Sequence, residues 1–250
     1  MTMPSTLANH FSAVPPLAEI KWEWAFKNYK STILETARRF KSRSLCEIGG
    51  GRSPLLEKAV VDELDADYTI LDIAQSELDK APSWPEKLCC DIAGEAIPKR
   101  QGPGYDLMFS HMVMEHLKDV RQGYRNIYEL LSDGGIVINF HPTLYAVPFL
   151  INYILPDEIT RPILERFDPA RGEAGRPKFP AHYSWCLSTA KAEGMIREIG
   201  FREVLIIPFW GHFYFKKIPL IRSLDAAIVA FAKWHGIRAL SSYAYSIARR

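Results

Sequence analysis

Short apolar runs alternate with longer amphipathic stretches along this 250-residue chain. That alternation predicts an α/β fold built on a parallel sheet with right-handed crossovers. The first apolar run, Ser44 to Ile48, breaks on three consecutive glycines, Gly49-Gly50-Gly51. Later runs end on Asp72, Asp91, Ser110 and His141. The ligand crevice of such a sheet lies beyond the carboxyl ends of its strands, so glycine turn and polar residues are expected to converge on one edge.

Taken in order, residues 1–20 have little periodicity and a Pro15-Pro16 pair, which predicts an arm. Apolar residues between Trp22 and Phe40 recur at helical spacing and predict a covering helix. Together, 1–41 read as an N-terminal arm and helix, and 42–250 as the main domain. After the first strand a helix is expected over 55–64. Strands follow over 67–72, 87–91 and 105–110. A helix over about 113–131 is expected to close on Ser132-Asp-Gly-Gly135, glycine supplying its left-handed cap. Residues 136–140 form a fifth strand, 189–199 a helix stopped by Gly200, 201–207 a sixth strand and 242–248 a last one. Between the late strands, 142–187 and 208–240 break the alternation and read as substrate-side insertions. Nine of the 17 prolines fall between Pro142 and Pro219, which marks the first of these as largely irregular.

The composition is that of an ordinary globular protein, with 48% hydrophobic and 24% charged residues. The net charge of +2 hides an asymmetry: Trp210 to Arg250 holds seven basic residues against the single acid Asp225. A basic end can face nucleic acid, an anionic membrane surface or an acidic substrate, and is more often a solvated face; with its apolar residues this one suits a membrane surface. Cys46, Cys89, Cys90 and Cys186 show no C-x-x-C spacing and are expected to be buried, reduced thiols. No basic leader followed by an apolar core opens the sequence and no run of eighteen apolar residues occurs, so a cytoplasmic protein, at most peripheral to a membrane, is expected.

The strand-end residues carry the chemistry. Glycines free of Cβ let a ligand approach the main chain, and free N–H groups at a following helix add donors. Asp72 lies 21 residues after Gly51, the distance at which a carboxylate accepts hydrogen bonds from both hydroxyls of a ribose. Asp91, one strand later, suits an adenine amino group; turn capping is the plainer reading of both acids.

With these residues in view, the chain resembles the class I S-adenosylmethionine-dependent methyltransferases, in the group containing the methyltransferase-11-type domains. Glu47-Ile-Gly-Gly-Gly51 is similar to that family's first motif, Leu71-Asp72-Ile73 to its second and Cys90-Asp91-Ile92-Ala93 to its third. Tyr105 to Leu117, with Glu115-His116-Leu117, is the strongest match, and Leu130 to Ile138 follows the family's leucine, turn, Gly-Gly, strand element. The resemblance covers residues 42–141 well and the two last strands more loosely. It implies a Rossmann-like seven-stranded sheet with helices on both faces and the last strand antiparallel.

The resemblance also implies S-adenosyl-L-methionine as cofactor. Glu47, Gly49 and Gly51 would hold its methionine part, Asp72 its ribose, and Asp91 with Ile92 its adenine, with Ile73 of the second motif a further cofactor contact. Ser110 and His111 would line the methyl-donor side. Arg52 and Pro54 depart from the usual third glycine. Histidine is the natural base near neutral pH, and His141 and His182 are the candidates; His116 is assigned to the structural Glu-His-Leu element.

No acid pair resembles the magnesium site of catechol-type enzymes, so no metal is expected. The fourth strand lacks the Asn-Pro-Pro-Tyr ending of nucleic-acid base methyltransferases, so nucleic acid is not the expected acceptor. A small molecule, a glycan or a lipid-linked acceptor methylated on oxygen is. Two other readings fit the same glycine turn: a nicotinamide-dependent oxidoreductase, opposed by the missing third glycine and the lack of a Tyr-x-x-x-Lys pair, and a cofactor-binding regulator without catalysis.

Overall fold

The structure, a computed structural model, describes residues 6–13, 21–98, 102–155, 179–215 and 218–250. Its centre is a seven-stranded sheet: β1 (Ser44–Ile48), β2 (Asp67–Asp72), β3 (Glu86–Cys89), β4 (Tyr105–His111), β5 (Leu131–Pro142), β6 (Glu203–Phe209) and β7 (Tyr243–Arg249). The order is β3-β2-β1-β4-β5-β7-β6. Pairing is parallel from β3 through β5, and β7 runs antiparallel to both neighbours, β5 and β6. β1 therefore sits where the chain stops adding strands on one side and starts on the other. Such a reversal opens the crevice in which ligands bind, and the glycine turn leaves β1 at that point.

Successive strand residues point to opposite faces. All five residues of β1 are buried, as are six of the seven in β7, so the sheet is covered on both faces. α2 (Trp22–Phe40) contributes Ala25, Tyr29, Ile33 and Ala37 to the core at helical spacing and ends at Lys41 in the left-handed region. Its Tyr29 hydroxyl lies 2.6 Å from the Ser110 carbonyl and 3.1 Å from that of Ile138, tying the helix across β4 and β5. Among the described residues the other α-helices are α1 (Thr6–His10), α3 (Lys58–Glu63), α4 (Gln75–Leu78), α5 (Val120–Leu130), α6 (Val147–Ile154), α7 (Ala190–Ile199) and α8 (Pro219–Trp234).

Several expectations change. The arm is partly docked: Leu7 and Phe11 are buried, and the Leu7 N–H donates to Glu203 on β6. The helix after the glycine turn starts at Lys58, so Pro54 lies in the connecting loop rather than in a first helical turn. The helix expected over 113–131 is two elements. Met114–His116 is a single 3-10 turn, and α5 begins only at Val120, where the Asp119 side chain accepts the Gln122 N–H as N-cap. Ser132 to Gly135 caps nothing, because Leu131 is already extended and these residues form an irregular start of β5 against Tyr105. Gly200, by contrast, ends α7 at φ +127° as expected. Cys46 and Cys186 are buried, but Cys89 is exposed and Cys90 half-buried, because β3 is an edge strand. Half of the predicted irregular insertion, 156–178, lies outside the described residues.

Candidate functional site

The turn after β1 is built so that only glycine fits at its first position. Gly49 has φ +75°, donates its N–H to the Leu71 carbonyl at 2.6 Å, and would place a Cβ 2.4 Å from Val113 Cγ2. Gly51 has φ +48° and faces the Asp72 carboxylate, which would stand 3.3 Å from an added Cβ. Beneath the turn, the buried Glu47 carboxylate accepts from the Leu55 N–H at 2.9 Å and from the Tyr68 hydroxyl. Burial pushes its pKa up to about 7, against the downward pull of those two hydrogen bonds. Arg52, the residue that departs from the family pattern, forms a two-pronged clasp. Its Nε and Nη2 lie 2.5 Å from the two carboxylate oxygens of Glu77 on α4, and these hydrogen bonds pull Glu77 down to about 2. The clasp fastens the open side of the turn to the segment that follows Asp72.

Asp72, the last residue of β2, is largely buried. Its Oδ1 accepts the Ala74 N–H at 2.8 Å, and the Gly51 and Ile73 N–H groups also serve the carboxylate. Burial raises its pKa. Beside it Ile73 is 52% exposed, an apolar side chain at the mouth of the crevice. Asp91 lies two residues beyond β3, exposed, with Oδ1 accepting from the Ala93 N–H at 2.8 Å. The Ile92 side chain is buried in the core, so it offers no open surface to a ligand.

Ser110 and His111 end β4. The Ser110 hydroxyl is fully buried and bonded to Asn139 Oδ1 at 2.8 Å, which leaves only its main chain for the crevice edge. His111 is surrounded by the rings of Phe26, Tyr29 and Phe140, with centroids 5.2–5.7 Å away, and burial lowers its pKa. Met112 then takes φ +57°, and the chain folds Val113 over Gly49. The same short segment presents the Glu115 carbonyl, which accepts the N–H of His182 at 2.7 Å and of Tyr183 at 3.1 Å. His182, 133 residues along from Gly49, is thereby tied through its main chain to the segment whose Val113 covers Gly49. Its Nε2 is buried with no hydrogen-bond partner among the described residues. His116 Nδ1 meets the Pro180 carbonyl at 3.0 Å, in keeping with a structural role.

His141 does not face the crevice. It is 3% exposed, its Nδ1 lies 2.9 Å from the Pro142 carbonyl, and its Nε2 lies 2.8 Å from the Ser246 hydroxyl on β7. A carbonyl can only accept, so Nδ1 carries the proton and both ring nitrogens are spent inside the sheet. Burial lowers its pKa to about 4. The expectation that His141 serves as base is corrected accordingly: the antiparallel β7 that covers this end of β5 supplies its partner. The residues that the motifs did not single out are Val113, Tyr68 and Glu77, whose roles come from contacts across 21 to 64 residues of sequence. Among the described residues no group of three His, Cys, Asp or Glu side chains is placed to hold a metal ion. A cavity of about 600 Å³ lies at the opposite edge, lined by Gly104, Asn126, Ser132 and Arg250; it shares no residue with the glycine turn.

A glycine turn at the topological switch point, followed by a strand-end acid, defines a nucleoside-binding α/β fold. Residues 46–137 match the family described as "Methyltransferase domain". Among curated proteins, no sequence matches the chain. Solved structures share the fold. A SAM-dependent methyltransferase from Archaeoglobus fulgidus superposes with TM-score 0.51 at 17% identity, over 92% of this chain and 100% of that one. Phosphoethanolamine N-methyltransferase 2 from Haemonchus contortus gives 0.56 at 14% identity, over 99% of this chain and 60% of that one. The plantazolicin methyltransferase BpumL gives 0.54 at 14% identity, over 98% and 89%. Sequence match and fold agree: residues 46–137 match a methyltransferase domain, and the fold is the one that these S-adenosylmethionine-dependent methyltransferases share.

Proposed function

We propose that the chain transfers the methyl group of S-adenosylmethionine to an oxygen of a small-molecule, glycan or lipid-linked acceptor, without a metal, and that residues 42–250 form the catalytic unit. The observation that carries this reading is the meeting, on one sheet edge, of the Gly49–Gly51 turn and the Asp72 carboxylate, with Val113 over Gly49 and the Glu115 carbonyl, two residues on, holding the main chain of His182. When bound, the cofactor supplies an electrophilic methyl on sulfonium. Glu47 braces the turn, and Gly49 and Gly51 leave their main chain open to the methionine part. Asp72 keeps lone pairs for ribose hydroxyls, Ile73 gives an apolar surface for the adenine, and Asp91 takes its amino group. The main chain of Ser110 and the neutral His111 border the methyl-donor side. His182, with an unspent Nε2, accepts the acceptor's proton while Glu115 holds its main chain in place.

The glycine turn and Asp72 suit a nicotinamide cofactor as well; the match of residues 46–137 to a methyltransferase domain favours the methyl-donor reading. Replacing His182 by Asn is expected to lower kcat about 10²- to 10⁴-fold while leaving affinity for S-adenosylhomocysteine within about twofold. Single-turnover methyl transfer from labelled donor to fractionated native extract, with calorimetry on the same variant, checks both. An unchanged kcat would remove His182 from the base role. Placement in the cytoplasm and contact with a membrane surface belong to the same reading; no helix among the described residues is long and apolar enough to cross a membrane.

A further inference from the structure

Large apolar side chains that remain exposed among the described residues are concentrated. Apart from Ile73, they all lie in 143–155, 179–189 and 218–241. Single exposed apolar residues are ordinary, whereas a contiguous patch marks an interaction surface. α8 is the extreme case: of its 16 residues only Ala232 is buried. Leu220, Leu224, Ala227, Phe231 and Trp234 follow the spacing i, i+4, i+7, i+11, i+14 and so form one stripe along the helix. Leu220 is 83% exposed and Trp234 85%. α6 lies alongside, since Val147 borders the same small cavity as Ile228 and Val229 of α8, and it adds the exposed Ile151 and Ile154.

Charge narrows the partner. Residues 143–155, 179–189 and 208–215 contain no acid, and 218–241 contains one, Asp225. That acid is turned inward: its side chain is 12% exposed and its Oδ1 lies 3.1 Å from Nε2 of His212, itself 1% exposed. The outward surface of α8 is left with Arg222 and Lys233 and no carboxylate, and Lys216-Lys217 precede it in the sequence. A second copy of this chain would bring one acid-free, basic helix against another across a twofold axis, with nothing to offset the repulsion. An anionic bilayer offers hydrocarbon for the stripe and negative charge for the lysines and arginine.

We propose that α8, together with the end of α6, is a membrane-docking face that lies on an anionic lipid surface. At 16 residues α8 spans roughly 24 Å, short of a bilayer core, and so lies in the interface rather than across it. The face adjoins the acceptor side: Asn152 of α6 hydrogen-bonds the Tyr183 hydroxyl at 3.1 Å, next to His182. The acceptor is accordingly a lipid or lipid-linked molecule taken from that surface. This last step rests on the methyltransferase reading; the docking itself does not.

Flotation of the full chain with phosphatidylcholine vesicles, with and without phosphatidylglycerol, tests it. Binding is expected with the anionic vesicles and should weaken with salt. Phe231→Glu with Trp234→Glu should cut partitioning at least about tenfold, and Arg222→Glu with Lys233→Glu should abolish the preference for anionic lipid. Calorimetry against S-adenosylhomocysteine should give wild-type affinity for both variants, which shows that they remain folded. Wild-type chain that fails to float, or a Phe231→Glu/Trp234→Glu variant that floats unchanged, overturns the docking face. A dimer in sedimentation that the same variant dissociates overturns it in favour of self-association. Loss of homocysteine-compound binding by the wild type would count against the cofactor reading alone.

Discussion

Glu47 sets how the site answers to pH. Its carboxyl stays protonated to about 7 in the folded chain, against an ordinary 4.5. Between those values the native state holds more protons than the unfolded one, so this residue's contribution to stability falls as pH rises and is fully lost above 7. The difference corresponds to about 3 kcal/mol as an upper bound. His10, His111 and His141 are held below their ordinary value and contribute with the opposite sign in the acidic range. The clean readout is therefore the difference between wild type and Glu47→Gln. Urea denaturation at pH 5 and pH 8 should show wild type losing stability relative to the variant as pH rises; parallel behaviour would mean that Glu47 ionises freely. Asp72 and Glu47 were both legible in the sequence as strand-end and strand acids. The Tyr68 hydroxyl and the Arg52–Glu77 clasp were not, because their partners lie 21 and 25 residues apart and only the β1–β2 pairing brings them together. His141 and His182 show the same limit. His141 precedes Pro142 and His182 stands two residues after Pro180, and both look equally open in sequence; yet Nε2 of one is paired with Ser246, 105 residues on, and Nε2 of the other is buried without a partner among the described residues.

The segment Met112 to His116 is the element that assembles the site. It leaves β4 through a left-handed Met112, lays Val113 on Gly49 and offers the Glu115 carbonyl to 182–183. An alanine at Gly49 would combine an unfavourable φ with a 2.4 Å contact to Val113 Cγ2. Gly49→Ala is expected to cost about 2 kcal/mol or more. Adding Val113→Ala should recover part of that cost, since the clash vanishes and the backbone strain stays. Thermal melts of the two single variants and the double variant measure the coupling; strictly additive losses would show that Val113 does not close the turn. The sequence placed Glu115-His116-Leu117 at the start of a long helix. Apolar periodicity continues smoothly through 113–131, and the break at Leu117–Asp119 comes from Asp119 capping α5 and from the pull of 182–183 on Glu115. For the same reason Ser132 to Gly135 looked like a cap: two glycines serve a helix end and an irregular strand start alike.

Across the whole molecule, the order β3-β2-β1-β4-β5-β7-β6 puts every parallel strand's carboxyl end on one edge and turns β7 back between β5 and β6. The parallel part was readable because its inner, buried strands are continuous apolar runs that end on glycine or polar residues. The late segments were not, since proline and aromatic residues there fix no period. The acceptor side is proposed to lie in those segments, so the methyl donor is legible in residues 42–141 and the acceptor is not. The central proposal is that the Gly49–Gly51 turn and Asp72 bind an adenosyl sulfonium cofactor. Isothermal calorimetry of wild type and Asp72→Ala against S-adenosylhomocysteine and against NADH tests it directly. The predicted result is binding of S-adenosylhomocysteine that Asp72→Ala weakens at least about tenfold, from charged hydrogen bonds worth roughly 1.5–3 kcal/mol, with no binding of NADH. Binding of NADH with none of S-adenosylhomocysteine would contradict it.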